Sequence, residues 1–313
     1  MNKKTRLIVL FLCILCFFVI APVLVSYSEG YRIDFKKMSV VATGGIYVRT
    51  FPAADKITID YGIIEKPGLF ANSIFVQSLL PENHTVSILK NGYYDYFKTL
   101  PVKENEVTKL ENVLLIKKDI KFTATPTPTT QTPPPVASQY IIKNNNLYYS
   151  NQKLIPVIKK IVAFNIQGNS IIWIGTDGFL YKSDLANLTV APVKLISANR
   201  AKSVAISPDG KNIVFNNNNS IYISTLSTTP LQNSTLYSSS EKISNVTWLN
   251  NDYIIFTSGQ KILISEIDYR GNINTIVLSQ TLAPSDKFLF NPSDSKIYIQ
   301  TKTALLVSEK ITP

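Results

Sequence analysis

The stretch Val204-Ala205-Ile206-Ser207-Pro208-Asp209-Gly210-Lys211-Asn212-Ile213-Val214-Phe215 decides the fold of the C-terminal half of the chain. Its centre is a Ser-Pro-Asp-Gly tetrapeptide, and an apolar run, Asn212-Ile213-Val214-Phe215, follows directly. Proline and Asp-Gly favour tight turns, and a short apolar run bounded by turn residues favours a strand. The stretch therefore predicts a tight turn that leads into a buried β-strand.

The strand in this stretch is one copy of a repeat. Pairs of apolar runs recur along the C-terminal half, and they lie at 169–173 with 178–182, 211–215 with 220–224, 252–256 with 260–264, and 295–299 with 303–307. Corresponding positions are 172, 214, 255 and 298, so the repeat is 41 to 43 residues long. Four-stranded propeller blades have a period of about 40–45 residues. The repeat therefore predicts blades with a pair of strands in each.

The string Val204 to Lys211 resembles the core of TolB-like and WD-type propeller blades. A further pair, Tyr140-Ile141-Ile142 with Leu147-Tyr148-Tyr149, adds strands for another blade. The resemblance implies a β-propeller-like domain of four to five blades over residues 139–313, which is at the small end for a closed ring. A flattened β-sandwich of the same strands is the alternative. Unpaired edges on the first and last blades would invite association with a second chain.

Short alternating runs also occupy the region closer to the N-terminus. Turn signals separate them, and the runs lie at Gly45–Val48, Ile57–Ile59, Ser73–Val76, His84–Leu89 and Val107–Leu115. Alternation of apolar and polar residues is typical of half-buried strands. Residues 31–118 are thus predicted to form a domain of five or six short antiparallel strands.

This region resembles the PEGA domain, a small β-sandwich of bacterial surface and envelope proteins. The resemblance lies in the series Gly45-Ile46-Tyr47-Val48, Pro52-Ala53-Ala54, Leu80-Pro81, His84-Thr85-Val86 and Lys90-Asn91-Gly92-Tyr93. The chain departs from the family where Asp55 follows Pro52-Ala53-Ala54 without the glycine of the name-giving motif. The resemblance implies an accessory or ligand-engaging module and no chemistry of its own.

A segment rich in proline and threonine separates the two regions. Thr123 to Pro135 has no apolar side chain larger than alanine. Such segments adopt extended conformations of about 3.1 Å per residue, so residues 119–138 are predicted to be a linker whose Thr123–Pro135 part spans about 40 Å.

The N-terminal segment, residues 1–30, is predicted to be a cytoplasmic tip followed by a transmembrane helix. Leu7 to Val25 is a run of 19 residues without a charge, close to the roughly 20 residues that cross a bilayer. Lys3, Lys4 and Arg6 precede it, and the positive-inside bias then leaves the N-terminus in the cytoplasm. A signal peptide cleaved after the run is the alternative.

The sequence offers little for catalysis. His84 is the only histidine, and the only cysteines, Cys13 and Cys16, lie inside the apolar run. We therefore interpret His84 as a structural strand residue and predict no catalytic, cofactor-binding or metal-binding residues and no cofactor. Acidic residues recur at turns, namely Asp177, Asp209, Asp252 and Asp294, and turn chemistry accounts for them.

The net charge of +11 favours anionic partners. The lysines are scattered, however, and no stretch interleaves bases with stacking aromatics, so nucleic acid is not predicted as a partner. The prediction is a non-enzymatic, single-pass membrane protein whose C-terminal domains lie outside the cytoplasm and bind an envelope protein or an anionic cell-wall polymer. One alternative is a cell-surface scaffold that self-associates into homo-oligomers. Another is a hydrolase site in the propeller funnel, although residues 139–313 contain no histidine to act as its base.

Overall fold

The computed structural model describes residues 3–60, 62–65, 72–126, 140–149, 152–153, 158, 160–196, 200–227 and 231–312. The chain divides into two compact units. Unit 1 consists of residues 1–91 and 95–115, and unit 2 consists of residues 92–94 and 116–313. The regular secondary structure of the described part is one N-terminal helix and otherwise β-strands.

Unit 1 begins with the apolar helix α1, Lys3–Ser28. Its segment Lys4–Ser28 is long and apolar enough to cross a membrane, a property that signal sequences share. In the described part of unit 1, nine strands follow, namely β1 Tyr31–Asp34, β2 Ser39–Ala42, β3 Gly44–Phe51, β4 Lys56–Ile59, β5 Ile63–Glu65, β6 Ser73–Leu79, β7 Asn83–Leu89, β8 Tyr96–Pro101 and β9 Val107–Leu114.

The strands of unit 1 form a hairpin, β1-β2, and two sheets in the orders β6-β3-β9 and β5-β4-β7-β8. Each sheet buries the alternating side chains of one face, for example Ile46 and Val48 in β3 and Val86 and Ile88 in β7. Two sheets with one buried face each are the layers of a small β-sandwich. The prediction of a purely antiparallel domain is wrong, because β3 pairs with β9 in parallel.

Unit 2 contains nineteen strands in the part that the structure describes. They are β10 Phe122–Pro126; β11 Tyr140–Lys143, β12 Asn146–Tyr149 and β13 Gln152–Lys153; β14 Ile161–Gln167, β15 Ser170–Gly175, β16 Leu180–Asp184 and β17 Val193–Ile196; β18 Ser203–Ile206, β19 Asn212–Asn216, β20 Ser220–Thr225 and β21 Ser234–Ser238; β22 Ile243–Trp248, β23 Tyr253–Ser258, β24 Lys261–Glu266 and β25 Thr275–Thr281; and β26 Lys287–Asn291, β27 Lys296–Gln300 and β28 Ala304–Ser308.

These strands form five sheets, numbered here in chain order from the first strand after β10. Sheet 1 is β11-β12-β13, sheet 2 is β14-β15-β16-β17, sheet 3 is β18-β19-β20-β21, sheet 4 is β22-β23-β24-β25, and sheet 5 is β26-β27-β28-β10. The first strand of each sheet contacts the first strand of the next, from β11 through β14, β18 and β22 to β26. Small antiparallel sheets that follow one another in this way form a β-propeller-like domain.

The hydrophobic cores lie between successive sheets. Ile213 and Phe215 of β19 pack with Ile172 and Ile174 of sheet 2, whereas Val214, the residue between them, packs with sheet 4. Successive residues of a strand point to opposite faces, so a strand with a sheet on either side is apolar at every position. This explains the continuous apolar runs of the repeat and excludes the two-layered sandwich as the fold of unit 2.

The predicted strand pairs are confirmed as strands, and the structure shows which place each pair takes in its sheet. The four pairs of the repeat supply the second and third strands of sheets 2 to 5, since β14, β18, β22 and β26 precede them, whereas the further pair supplies β11 and β12 of sheet 1. These first strands are less continuously apolar than the pairs, as in β22 with Ser244, Asn245 and Thr247, which is why the repeat pattern did not reveal them. The repeat therefore begins one strand earlier than the sequence pattern indicated.

The predicted linker also differs from the structure at its N-terminal end. Residues 122–126 form β10, which pairs antiparallel with β28 from Phe122 opposite Ser308 to Pro126 opposite Ala304. An ion pair of 2.8 Å between Lys117 and Glu309 lies beside this pairing, and the Lys117 ammonium lowers the pKa of the Glu309 carboxyl. The last sheet therefore takes its outer strand from the chain that precedes the first sheet. The remaining linker residues, 127–138, lie outside the described residues.

Candidate functional site

The turn between β18 and β19 forms one wall of the candidate site. The Gly210 N–H donates to the Ser207 carbonyl at 2.9 Å, which closes the turn. Asp209 Oδ1 accepts hydrogen bonds from the Ser207 hydroxyl at 2.6 Å and from the Lys211 N–H at 3.1 Å. Gly210 has a φ of +74°, a conformation that favours glycine. The Ser-Pro-Asp-Gly sequence thus forms the tight turn predicted for it.

A side chain from the neighbouring sheet holds this turn in place. Gln167, the last residue of β14, donates through Nε2 to the Pro208 carbonyl at 2.9 Å. Gly210 lies so close that an added Cβ would be 2.7 Å from Gln167 Oε1. A second bond between sheets runs from the Asp209 N–H to Asn251 Oδ1 at 3.0 Å. Polar turn residues therefore link sheets 2, 3 and 4 along one edge of the domain.

Between sheets 2 and 3, at this edge, lies a cleft of about 700 Å³. Buried Ile172 and Ile206 contribute apolar surface to it. The other residues that line it are Gln167, Gly168, Ser170, Lys182, Asp209, Gly210, Lys211, Thr225, Leu226 and Ser227. An apolar surface surrounded by a few polar groups is the usual composition of a ligand-binding cleft.

The charges around the cleft are predominantly positive. Lys182 and Lys211 both line it, and Asp209 is the carboxylate among its lining residues. The hydrogen bond from the Ser207 hydroxyl has the largest effect on the pKa of Asp209 and lowers it. The bond from the Lys211 N–H lowers the pKa further, and burial opposes both. Lys211 Nζ lies 3.8 Å from Asp209 Oδ2, and its side chain is otherwise largely exposed. With two ammonium groups and one ionised carboxylate, the cleft favours anionic ligands.

The acidic residues singled out in the sequence do not converge on this cleft. Asp209, Asp252 and Asp294 follow the first strands of sheets 3, 4 and 5, whereas Asp177 lies between β15 and β16. Because the strands are antiparallel, the turn with Asp177 is at the opposite edge of its sheet.

Two of these carboxylates share a local arrangement. Asp177 accepts a hydrogen bond from the Tyr181 hydroxyl at 2.6 Å and one from the Phe179 N–H at 3.1 Å. Asp294 accepts in the same way from the Tyr298 hydroxyl and the Lys296 N–H. Burial would raise the pKa of Asp177, but the Tyr181 hydroxyl and the Phe179 N–H outweigh it and the pKa lies below its ordinary value. Both residues act as turn acceptors.

His84 is buried in unit 1, and both of its ring nitrogens have partners. Nδ1 contacts the Asp60 carboxylate, and Nε2 lies 2.7 Å from the Leu80 carbonyl oxygen. Asp60 Oδ1 also accepts the Thr85 N–H at 2.8 Å. His84 thus ties the turn after β4 to the segment before β7, and neither nitrogen is directed toward solvent.

Cys13 and Cys16 are free thiols on the exposed surface of α1. Across the described residues, no group of three or more His, Cys, Asp or Glu side chains has a geometry that could hold a metal ion.

Sequence reasoning identified the Ser207–Gly210 turn but not the cleft beside it. Gln167, Lys182 and Lys211 come from three different strands or turns of two sheets, and nothing in the local sequence pairs them. The separation of 41 residues between Gln167 and Pro208 equals one repeat. That period is the signal that could have indicated a contact between sheets at this turn.

No protein-family model matches the chain, and no curated protein matches it. Among solved structures it is similar to the β-propeller domain of Cps50 (Swd1) from Myceliophteria thermophila, with 8% identity, a TM-score of 0.40, and coverage of 50% of this chain and 55% of that one. The WD40 repeats of RRP9 match with 13% identity, a TM-score of 0.35, and coverage of 47% and 50%. A protein of unknown function from Bacteroides thetaiotaomicron matches with 11% identity, a TM-score of 0.35, and coverage of 79% and 60%. The chain thus spans less than two thirds of each of these structures, and likenesses this low carry no argument about function.

Proposed function

We propose that this chain is a non-catalytic binding protein, held at a membrane by α1, whose propeller-like unit binds an anionic cell-wall polymer or an acidic envelope protein outside the cytoplasm. The observation that carries the proposal is the cleft between sheets 2 and 3. Lys182 and Lys211 line it together with hydroxyl and amide groups, and such groups bind carboxylates, phosphates and sugar hydroxyls.

The turn carboxylates Asp177 and Asp209 are not suited to act as general acids. A general acid needs a pKa raised toward neutrality, whereas the pKa values of Asp177 and Asp209 are lowered. His84, the one histidine, is buried between Asp60 and Leu80. These residues are therefore suited to holding turns and strands in place.

The membrane anchor is the second part of the proposal. α1 has the length and hydropathy of a spanning helix, and the bases that precede its uncharged run favour a cytoplasmic N-terminus. Units 1 and 2 would then lie on the outer side, with unit 1 as the PEGA-like module. A cleaved signal peptide would export the same two units without an anchor.

The pairing of β10 with β28 supports a closed ring of five blades, one for each sheet of unit 2. In such a ring the first and last sheets are neighbours, and the outer edge of β28 is covered by the chain itself. The scaffold alternative depended on free edges at the ends of the repeat, and this pairing removes one of them.

A charge-matched pair of variants tests the binding cleft. In the full chain in detergent, Lys182→Gln with Lys211→Gln should weaken binding to anionic cell-wall polymer at low salt by about tenfold, the loss of about 1.4 kcal/mol. Lys261→Gln with Lys302→Gln removes the same charge from β24 and from the turn before β28, and it should leave the affinity within about twofold. If both double variants lost the same affinity, the net charge of the protein would account for the binding. That result would contradict a binding site in the cleft.

A further inference from the structure

The hairpin β1-β2 exposes a row of apolar side chains. Ile33 and Val40 are directly opposite each other in the antiparallel register, and they are 52% and 63% exposed. In the turn between the strands, Phe35 and Met38 are 78% and 82% exposed. We call these exposed residues, Tyr31, Ile33, Phe35, Met38 and Val40, the hairpin patch. Single exposed apolar residues are ordinary on a protein surface, but a contiguous patch marks an interaction site.

The hairpin patch continues from the end of the apolar helix. α1 ends at Ser28 and β1 begins at Tyr31, and a groove of about 420 Å³ runs between them. The groove is lined by Pro22, Val23, Ser26, Tyr27, Tyr31, Arg32, Ile33, Phe35 and Val40. The last turns of the helix and the outer face of the hairpin therefore form one continuous apolar surface.

Helix geometry places this surface at the boundary of a bilayer. The uncharged run from Leu7 to Val25 has 19 residues and is about 28 Å long at 1.5 Å per residue, close to the hydrocarbon thickness of about 30 Å. A helix that spans the core with this run emerges near Val25. Tyr27 and Tyr31 then lie at headgroup level, where aromatic residues are enriched, and the hairpin begins at the same depth.

Polar contacts hold the hairpin in this orientation. The Arg32 guanidinium donates to the Tyr27 carbonyl at 2.8 Å and to the Ser78 hydroxyl at 3.0 Å. Lys36 Nζ pairs with Glu82 at 2.9 Å, and Thr43 Oγ1 donates to the Gly30 carbonyl at 2.6 Å. The hairpin is thus tied to α1 and to the sandwich by its polar groups, while its patch faces outward.

The turn of the hairpin is also fixed from within. Asp34 is buried, and its Oδ1 accepts the N–H groups of Lys36 at 2.9 Å and Lys37 at 3.1 Å. Burial would raise the pKa of Asp34, but these backbone hydrogen bonds outweigh it and the pKa is lowered. The turn therefore keeps Phe35 and Met38 exposed, with the Lys37 ammonium between them in sequence.

We propose that the hairpin patch is a membrane-contact surface that lies in the outer interface of the bilayer. Ile33, Phe35, Met38 and Val40 contact the upper acyl chains, and Lys37 contacts the phosphates of anionic lipids. The patch then fixes the tilt and depth of the sandwich above the membrane, as interfacial elements do. This inference rests on the proposed membrane anchor.

Fluorescence quenching in vesicles tests the contact. The full chain with Cys13→Ser and Cys16→Ser receives one new cysteine, as Phe35→Cys or Met38→Cys, for labelling with an environment-sensitive fluorophore. In vesicles of phosphatidylcholine and phosphatidylglycerol, lipids with a nitroxide on the upper acyl chain should quench both labels by about twofold or more. Tyr269→Cys, at a position of unit 2 that is 60% exposed, is the matched control and should stay unquenched. Quenching at residue 269 to the same extent would overturn the proposal, because any exposed label would then enter the lipid.

A label inside the helix separates this inference from the anchor on which it rests. The Cys16→Ser variant keeps Cys13 as its single thiol, and nitroxides deep in the acyl chain should quench a label there. Quenching at Cys13 without quenching at residues 35 and 38 overturns the membrane-contact surface and leaves the anchor standing. Absence of quenching at all three positions overturns both. Phe35→Trp with brominated lipids provides a second measurement without a bulky label.

Discussion

At the scale of single residues, Gly210 allows the turn between β18 and β19 to lie against Gln167 of sheet 2. Gly210 and Gly168 both have positive φ, of +74° and +56°. A Cβ at Gly210 would meet Gln167, whereas a Cβ at Gly168 would meet nothing within 4 Å. Any side chain would be strained by the backbone conformation at either glycine, but only a side chain at Gly210 would also collide with the neighbouring sheet.

This difference gives a prediction about stability. Gly168→Ala should lower the free energy of unfolding by about 1 kcal/mol, the cost of alanine in the left-handed region. Gly210→Ala should lower it by about 2 kcal/mol, because the displaced Gln167 also loses its bond to Pro208. Both tryptophans, Trp173 and Trp248, lie in unit 2, so urea unfolding followed by tryptophan fluorescence measures the effect. Equal losses would show that the Gln167 contact contributes nothing.

At the scale of elements, β10 is the strand of sheet 5 that comes from outside the repeat. The Glu309 N–H donates to the Lys121 carbonyl at 2.9 Å, and hydrogen-bonded positions alternate along an antiparallel pair. The N–H of Thr123, opposite Val307, therefore points toward β28. Thr123→Pro removes this donor and should cost about 2 kcal/mol, which lowers the Tm of unit 2 by roughly 4–8 °C.

Thr129→Pro is the control for that substitution, since it adds a proline to a segment that already contains several. Thermal unfolding followed by tryptophan fluorescence and protease cleavage near β28 are the two measurements. If Thr123→Pro and Thr129→Pro unfold at the same temperature, the pairing of β10 with β28 does not stabilise the domain.

The elements also show which parts of the fold the sequence predicts. Strand pairs such as Asn212–Asn216 with Ser220–Thr225 were predictable, because both strands are apolar and a short polar turn joins them. β10 was not, because its sequence, Phe-Thr-Ala-Thr-Pro, has the composition of a linker and its partner lies about 180 residues away. The parallel pairing of β3 with β9 was missed for the same reason, since long-range register leaves no local signal.

At the scale of the whole molecule, the orientation of the chain determines which partners it meets. Tags at both ends, tested by protease accessibility in intact cells, should show a digested C-terminus and a protected, membrane-bound N-terminus. Protection of both ends would contradict the outward orientation and the proposed binding to envelope partners. Loss of the N-terminal tag from the mature chain would identify α1 as a cleaved signal.

The pairing of β10 with β28 also determines when sheet 5 can be completed during synthesis of the chain. Because the chain is synthesised from its N-terminus, β10 is made about 180 residues before its partner β28. During that interval β10 has no partner, and sheet 5 has an open edge that other strands can pair with. Chains that stop short of residue 304 lack β28, so both of its neighbours, β10 and β27, keep an unpaired edge that exposes them to association and proteolysis.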